Sequence, residues 1–66
     1  MYFYRRIRDL REDGDLSQEV VAQQLGITRQ QYQLYESGKR EMPMHLFIKL
    51  SKFYGVSLDY LAQQEG

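Results

Sequence analysis

The stretch SQEVVAQQLGITRQQYQLYESG, residues 17–38, decides the fold. It reads as two short helices joined by a tight turn. Ser17 suits an N-cap, because its hydroxyl can accept a bond from a backbone N–H of the first turn. Leu16 before it and Val21 four positions after it can close a hydrophobic staple. Glu19 falls in the first turn, where the helix dipole favours an acid. Val21, Ala22 and Leu25 make the inward face, and Ala22 is small enough to admit a neighbouring helix. Gly26 stops this helix and permits a sharp reversal. Thr28 and Gln31 then form a T-x-x-Q capping box, and Ile27 with Tyr32 a second staple. Tyr32 and Tyr35 face inward. Arg29, Gln30, Gln31, Gln33 and Leu34 are left outside, and Gly38 ends the helix.

The flanks extend the pattern. Upstream, residues 3–13 read as a helix with Phe3, Ile7 and Leu10 on one face, closed by Gly14 as a left-handed cap. Downstream, Pro43 suits the first position of a fourth helix, with Phe47, Leu50, Ser51 and Tyr54 inward and Gly55 at its end. A short fifth helix is capped by Ser57 and buries Leu58 and Leu61. No stretch alternates in polarity as a strand would, so the spacing predicts an all-α chain of five short helices. Each is near or below the length at which an isolated helix persists in water, so packing must hold them.

Size and composition exclude several classes. The chain has 66 residues, a mass of 7.9 kDa and no cysteine. It reads as one domain, with a core of about residues 4–62 and a short tail, 63–66. Met1 reads as a native start and the tail as the beginning of a linker. A disulfide framework and a thiolate metal site are excluded. A multi-histidine site is excluded as well, since His45 is the sole histidine. No apolar run approaches a membrane span or a signal peptide, and a soluble, cytoplasmic protein is expected. Paired carboxylates in a cleft, a nucleophile with its base and a Gly-rich phosphate loop are all missing, so an enzyme is not expected. Neither is a cofactor or a small-molecule ligand. Lys plus Arg is 9 and Asp plus Glu is 9, giving zero net charge. For nucleic-acid binding the clustering of cations on one face matters more than that sum.

The outward side of the third helix is such a face. Arginine can pair bidentately with guanine, and glutamine with adenine, in the major groove. No acid lies between Gly26 and Tyr35. Lys39 and Arg40 follow the helix, where they can reach phosphates, which supply most of the salt-dependent affinity. The plainer reading of these glutamines is a solvated side. Arg5, Arg6 and Arg8 also read as solvated, with Asp9, Glu12 and Asp13 close by, and His45 as an ordinary surface histidine. Leu46, Phe53 and Tyr60 are apolar residues left over from the core faces. They either form a partner surface or close over the small core.

The run LREDGDLSQEVVAQQLGITRQQYQLYESGKREMP, followed by LSKFYGVSLDYL, resembles the lambda-repressor/Cro-like, or XRE-family, helix-turn-helix domains. The resemblance covers residues 7–61. It rests on Leu16-Ser17-Gln18, Ala22, Leu25-Gly26, Glu36, Gly38-Lys39-Arg40, and Gly55-Val56-Ser57-Leu58 with Leu61. It implies a five-helix DNA-binding domain acting as a transcriptional regulator, in the sense of a repressor, docked on double-stranded DNA as a homodimer over a palindromic operator. Gln18 would anchor a phosphate or orient a base-reading neighbour. Thr28, Arg29, Gln30, Gln31 and Gln33 would belong to the DNA-contacting helix, and Lys39 and Arg40 to the phosphate loop. Arg11 and Glu36 would form a structural ion pair. The family's usual Glu at position 20 is Val here, its Asn at 37 is Ser, and position 34 is Leu. Its glycine between the first two helices sits one place early, in Asp13-Gly14-Asp15. The rival expectation is a helix-turn-helix scaffold that binds a protein rather than DNA, and it is kept alive by the neutral charge. Salt-dependent affinity for a duplex separates the two.

Overall fold

The computed structural model describes residues 4–62. Among them are five helices and no strand: α1 (Arg5–Asp13), α2 (Gln18–Leu25), α3 (Arg29–Glu36), α4 (Met44–Tyr54) and α5 (Leu58–Ala62). Phe3, expected to open the first helix, and the tail 63–66 lie outside the described residues.

The core is one cluster drawn from every helix. Ile7, Val21, Tyr32, Leu50 and Leu61 are wholly buried. Tyr4 meets Phe47 edge-to-face, with ring centroids 4.8 Å apart, which ties the start of α1 to α4. Leu46 is 2 % exposed and belongs to this core. It is therefore not available to the partner surface the sequence reading placed it in. The reverse holds for Leu58, expected to be buried but 39 % exposed. In a helix as short as α5, Leu61 alone fills the contact.

The helix ends share one device. After α2 the Ile27 N–H bonds to the Ala22 carbonyl and the Gly26 N–H to that of Gln23. After α3, Lys39 bonds to Leu34 and Gly38 to Tyr35 in the same way. Gly26 and Gly38 take the required left-handed conformation, with φ of 73° and 83°. The end of α1 has the same pair of bonds, Leu16 to Arg11 and Asp15 to Glu12. Its left-handed residue is Asp15, at φ 57°, whereas Gly14 is at φ −83°. Gly14 is thus not the left-handed cap the sequence reading expected. The loop places Leu16 against the core, and the residue before Leu16 must turn left-handed whatever its side chain. An L-residue with a Cβ is strained there, aspartate less than most. Asp15→Gly is expected to stabilise the fold by about 0.5–1 kcal/mol, net of the extra freedom glycine gives the unfolded chain. A thermal melt should rise by roughly 2–8 °C for a domain of this size, and an unchanged or lower melt would show that Asp15 is not strained.

Pro43 stands one place earlier than expected, at the N-cap of α4 with φ −62° and ψ 150°. Its carbonyl accepts the N–H groups of Leu46 and Phe47. At that position its missing N–H is no loss.

Candidate nucleic-acid interface

The α2–α3 unit is built so that α3 is rigid at its first turn. The Ser17 hydroxyl accepts from the Val20 N–H at 3.1 Å, capping α2. The Thr28 hydroxyl accepts from the Gln31 N–H, and the Gln31 side-chain oxygen from the Thr28 N–H, each at 3.1 Å. This closed capping box satisfies donors that a helix start otherwise leaves bare. At the far end of α2, Lys49 on α4 donates to the Leu25 carbonyl at 3.3 Å.

With Tyr32 and Tyr35 buried, α3 shows Arg29, Gln30, Gln31 and Gln33 to solvent. Their roles divide. Thr28 and the Gln31 oxygen are engaged in the cap, which leaves the Gln31 amide nitrogen as its remaining donor. Arg29, Gln30 and Gln33 form the outward row. Arg29 is the first residue of the helix, where a cation opposes the dipole. Its presence there does not serve helix stability. Lys39 and Arg40 are exposed just beyond the C-terminal cap of α3, followed by exposed Glu41.

Beneath this row sits an ion pair. Arg11 Nε donates to Glu36 Oε2 at 2.8 Å and Arg11 Nη2 to Oε1 at 2.9 Å. The third nitrogen, Nη1, donates to the Leu16 carbonyl at 2.9 Å. The two side chains are 15 % and 6 % exposed. The fork-on-fork geometry pins α1 to the end of α3. Gln18 joins it, its amide nitrogen reaching Glu36 Oε1 at 3.4 Å. Gln18 is therefore held against the ion pair, at the N-terminus of α2.

Burial alone would push the Glu36 carboxyl up, but the bonds from Arg11, the approach of the Tyr32 hydroxyl, the Arg11 charge and Gln18 outweigh it and hold the pKa below its ordinary 4.5. The Arg11 guanidinium is pushed up in return by its bond to Glu36. Tyr32 and Tyr54 bury their hydroxyls without a well-formed hydrogen bond. Burial raises both pKa values, that of Tyr54 to about 12, with the Glu36 charge adding to each.

The structure also brings Arg8 and Ser37, which the sequence reading leaves out of the site, beside residues it includes: with Arg11, Gln18, Gln33 and Glu36 they line a polar cleft of about 410 Å³ where α1, α2 and α3 meet. Arg8 lies three residues from Arg11 on α1, a spacing that shares a helix face. That signal becomes legible only once Arg11 is known to face Glu36. An apolar groove of about 440 Å³ lies elsewhere, lined by Tyr4, Met42, Pro43, Met44, Phe47 and Leu58 among others.

Residues 7–61 match the helix-turn-helix family. The chain is 43 % identical over 56 residues to the cryptic phage CTXphi transcriptional repressor RstR of Vibrio cholerae, covering 85 % of this chain and 50 % of that protein. It is 40 % identical over 63 residues to the uncharacterised HTH-type transcriptional regulator YqaE of Bacillus subtilis, covering 96 % of this chain and 54 % of that one. It is 44 % identical over 59 residues to the SPbeta prophage-derived regulator YonR of the same organism, covering 89 % and 55 %. The chain thus spans about half the length of these curated relatives. No solved structure matches it significantly. The match over most of the chain, on a fold whose second and third helices form the capped pair described above, makes this chain a member of the lambda-repressor/Cro-like helix-turn-helix family.

Proposed function

We propose that the chain is the DNA-binding domain of a transcriptional regulator, acting as a repressor, and that it lays α3 in the major groove of double-stranded DNA. The observation that carries this reading is the outward row of α3. Arg29, Gln30 and Gln33 are exposed side by side, without an acid among them, on a helix fixed by its capping box. Bidentate donors on a rigid helix are what base edges require. Exposed Lys39 and Arg40 then supply phosphate contacts that set the register. The name of the relative RstR supports repression. Neutral net charge does not oppose the reading, because clustering on one face decides rather than the sum: Arg29, Lys39 and Arg40 are exposed on and just after α3, whereas Asp9 and Glu12 pair on α1 with Arg5 at 3.5 Å and Arg8 at 3.3 Å.

Action as a homodimer on a palindromic operator belongs to the same proposal. Two copies would set their α3 helices one helical turn of DNA apart, about 34 Å. With Leu46 buried, the surface for a second copy falls to exposed Phe53, half-buried Tyr60, and Met44 and Leu58 beside the apolar groove. A cytoplasmic location is part of the reading, and no helix among the described residues is long and apolar enough to cross a membrane.

An amide NMR titration with a short mixed-sequence duplex at low salt tests this before any operator is known. Shifts should gather at Gln18, residues 28–33, Lys39 and Arg40, and fade as salt is raised. No shifts at millimolar duplex would overturn the DNA reading. It would leave the rival in place, a protein partner docking on exposed Phe53 and half-buried Tyr60.

A further inference from the structure

The two ends of α3 are fixed by different means. Its C-terminal end is pinned to α1 by the Arg11–Glu36 pair. Its N-terminal end follows the turn Gly26-Ile27-Thr28. Helix α3 packs chiefly on α1 and α2, whereas α4 packs chiefly on α2 and α5. The direction in which α3 leaves the turn therefore depends on how the end of α2 is held. Two of the last carbonyls of α2 are taken by the chain that follows, Ala22 by the Ile27 N–H and Gln23 by the Gly26 N–H. The final one, Leu25, accepts from Lys49 of α4 at 3.3 Å. No basic residue lies in the last turn of α2 itself. The cation that faces the negative end of its dipole is thus supplied by α4. The same ammonium lies against the turn, for a Cβ added at position 26 would stand 3.9 Å from Lys49 Nζ.

We propose that Lys49 is a positioning residue for base reading: a clamp from α4 that sets the angle of α3 to α2 without touching DNA. Side chains on a recognition helix discriminate bases only when they stand within about 0.5 Å and 10–20° of the productive geometry. Phosphate contacts are more forgiving, because a lysine such as Lys39 carries a point charge on a flexible stem. A small change in the angle of α3 therefore removes sequence preference while leaving most of the sequence-independent affinity. The clamp gives α4, which lies behind the helix-turn-helix, a direct hold on the turn that aims Arg29 and Gln30. This inference rests on the DNA-binding reading above.

The test is duplex binding by fluorescence anisotropy over a salt series, on a duplex selected from a random pool and on a scrambled one, at a temperature where every variant is folded. Lys49→Met keeps the unbranched stem and removes the donor. It should lower the ratio of the two affinities about fivefold or more, the discrimination carried by one bidentate base contact, and leave the salt slope on both duplexes unchanged. Lys49→Arg should restore the ratio, since a guanidinium can donate to the same carbonyl. Lys52→Met removes an equal charge from exposed α4 surface and should keep the wild-type ratio. In the free protein, amide exchange at Gly26 and Ile27 should quicken in Lys49→Met by more than exchange at Leu50 does. A salt slope lower by about 0.9 in Lys49→Met would make Lys49 a phosphate ligand and overturn the proposal. So would an unchanged ratio accompanied only by a lower melting point, which would reduce the bond to a helix cap. Exchange that quickens equally at all three amides would overturn it as well. These failures leave wild-type binding intact. A wild type with no salt-dependent binding would instead sink the DNA reading itself, and this proposal with it.

Discussion

Arg11→Ala is expected to destabilise the fold by about 3–5 kcal/mol, the range for removing one partner of a buried pair. In a domain this small that is a melting point lower by at least about 12 °C. Three bonds disappear with the guanidinium, two to Glu36 and one to the Leu16 carbonyl. The larger part of the cost is the carboxylate left behind, since Glu36 is only 5 % exposed and retains only Gln18 and the approach of Tyr32. The pH dependence identifies the cause. In the wild type the Glu36 pKa is held below 4.5, so its contribution is present above that value and lost as pH falls through the lowered one. In Arg11→Ala the lowering by Arg11 is gone and burial pushes the carboxyl up, so acid relieves the variant. The gap between the two melting curves, followed by circular dichroism, should narrow as pH drops from neutral to below 4.5. A gap that stays constant would mean that Arg11 acts through packing alone. The variant Arg11→Met with Glu36→Leu should recover much of the loss, because it leaves no orphaned charge.

How far this architecture is legible in the sequence depends on the range of the interaction. Caps are local, and Ser17 and Thr28 behave as their neighbours in sequence indicate. Gly26 and Gly38 are legible for the same reason. Gly14 misleads, because the fold fixes the place of the left-handed residue through Leu16, and the glycine happens to stand one position before it. Leu46 misleads in another way. A helical face wide enough to carry Leu46, Phe47 and Leu50 appears only when neighbours pack on two sides of α4, and periodicity assigned from one side leaves Leu46 over. Contacts between distant residues leave no local trace. The pairing of Arg11 with Glu36, 25 residues apart, came from family resemblance, not from spacing. The cleft that joins Arg8 to Ser37 could not be read before that pairing was placed.

Arg29→Ala and Gln30→Ala are expected to weaken binding to the preferred operator by about 1–3 kcal/mol each, and to flatten sequence preference at the base pair each side chain reads. That operator is first obtained by selection from a random duplex pool. Dissociation constants on it and on a scrambled duplex then separate the two kinds of contact. Loss confined to the preferred duplex marks base reading, whereas Lys39→Ala should weaken both duplexes alike and lower the salt slope by about 1. Equal losses on both duplexes for Arg29→Ala would demote Arg29 to a phosphate ligand. Stability provides the second axis. Arg29 opposes the dipole of α3, so its removal should leave the melting point unchanged or slightly higher. Gln31→Ala breaks the capping box and should lower it, with any loss of affinity following from a frayed first turn. A side chain whose removal abolishes sequence preference at no cost to the fold is placed there for the base it meets. On α3 that combination is expected of Arg29, Gln30 and Gln33, and not of Thr28 or Gln31, whose side chains hold the start of the helix.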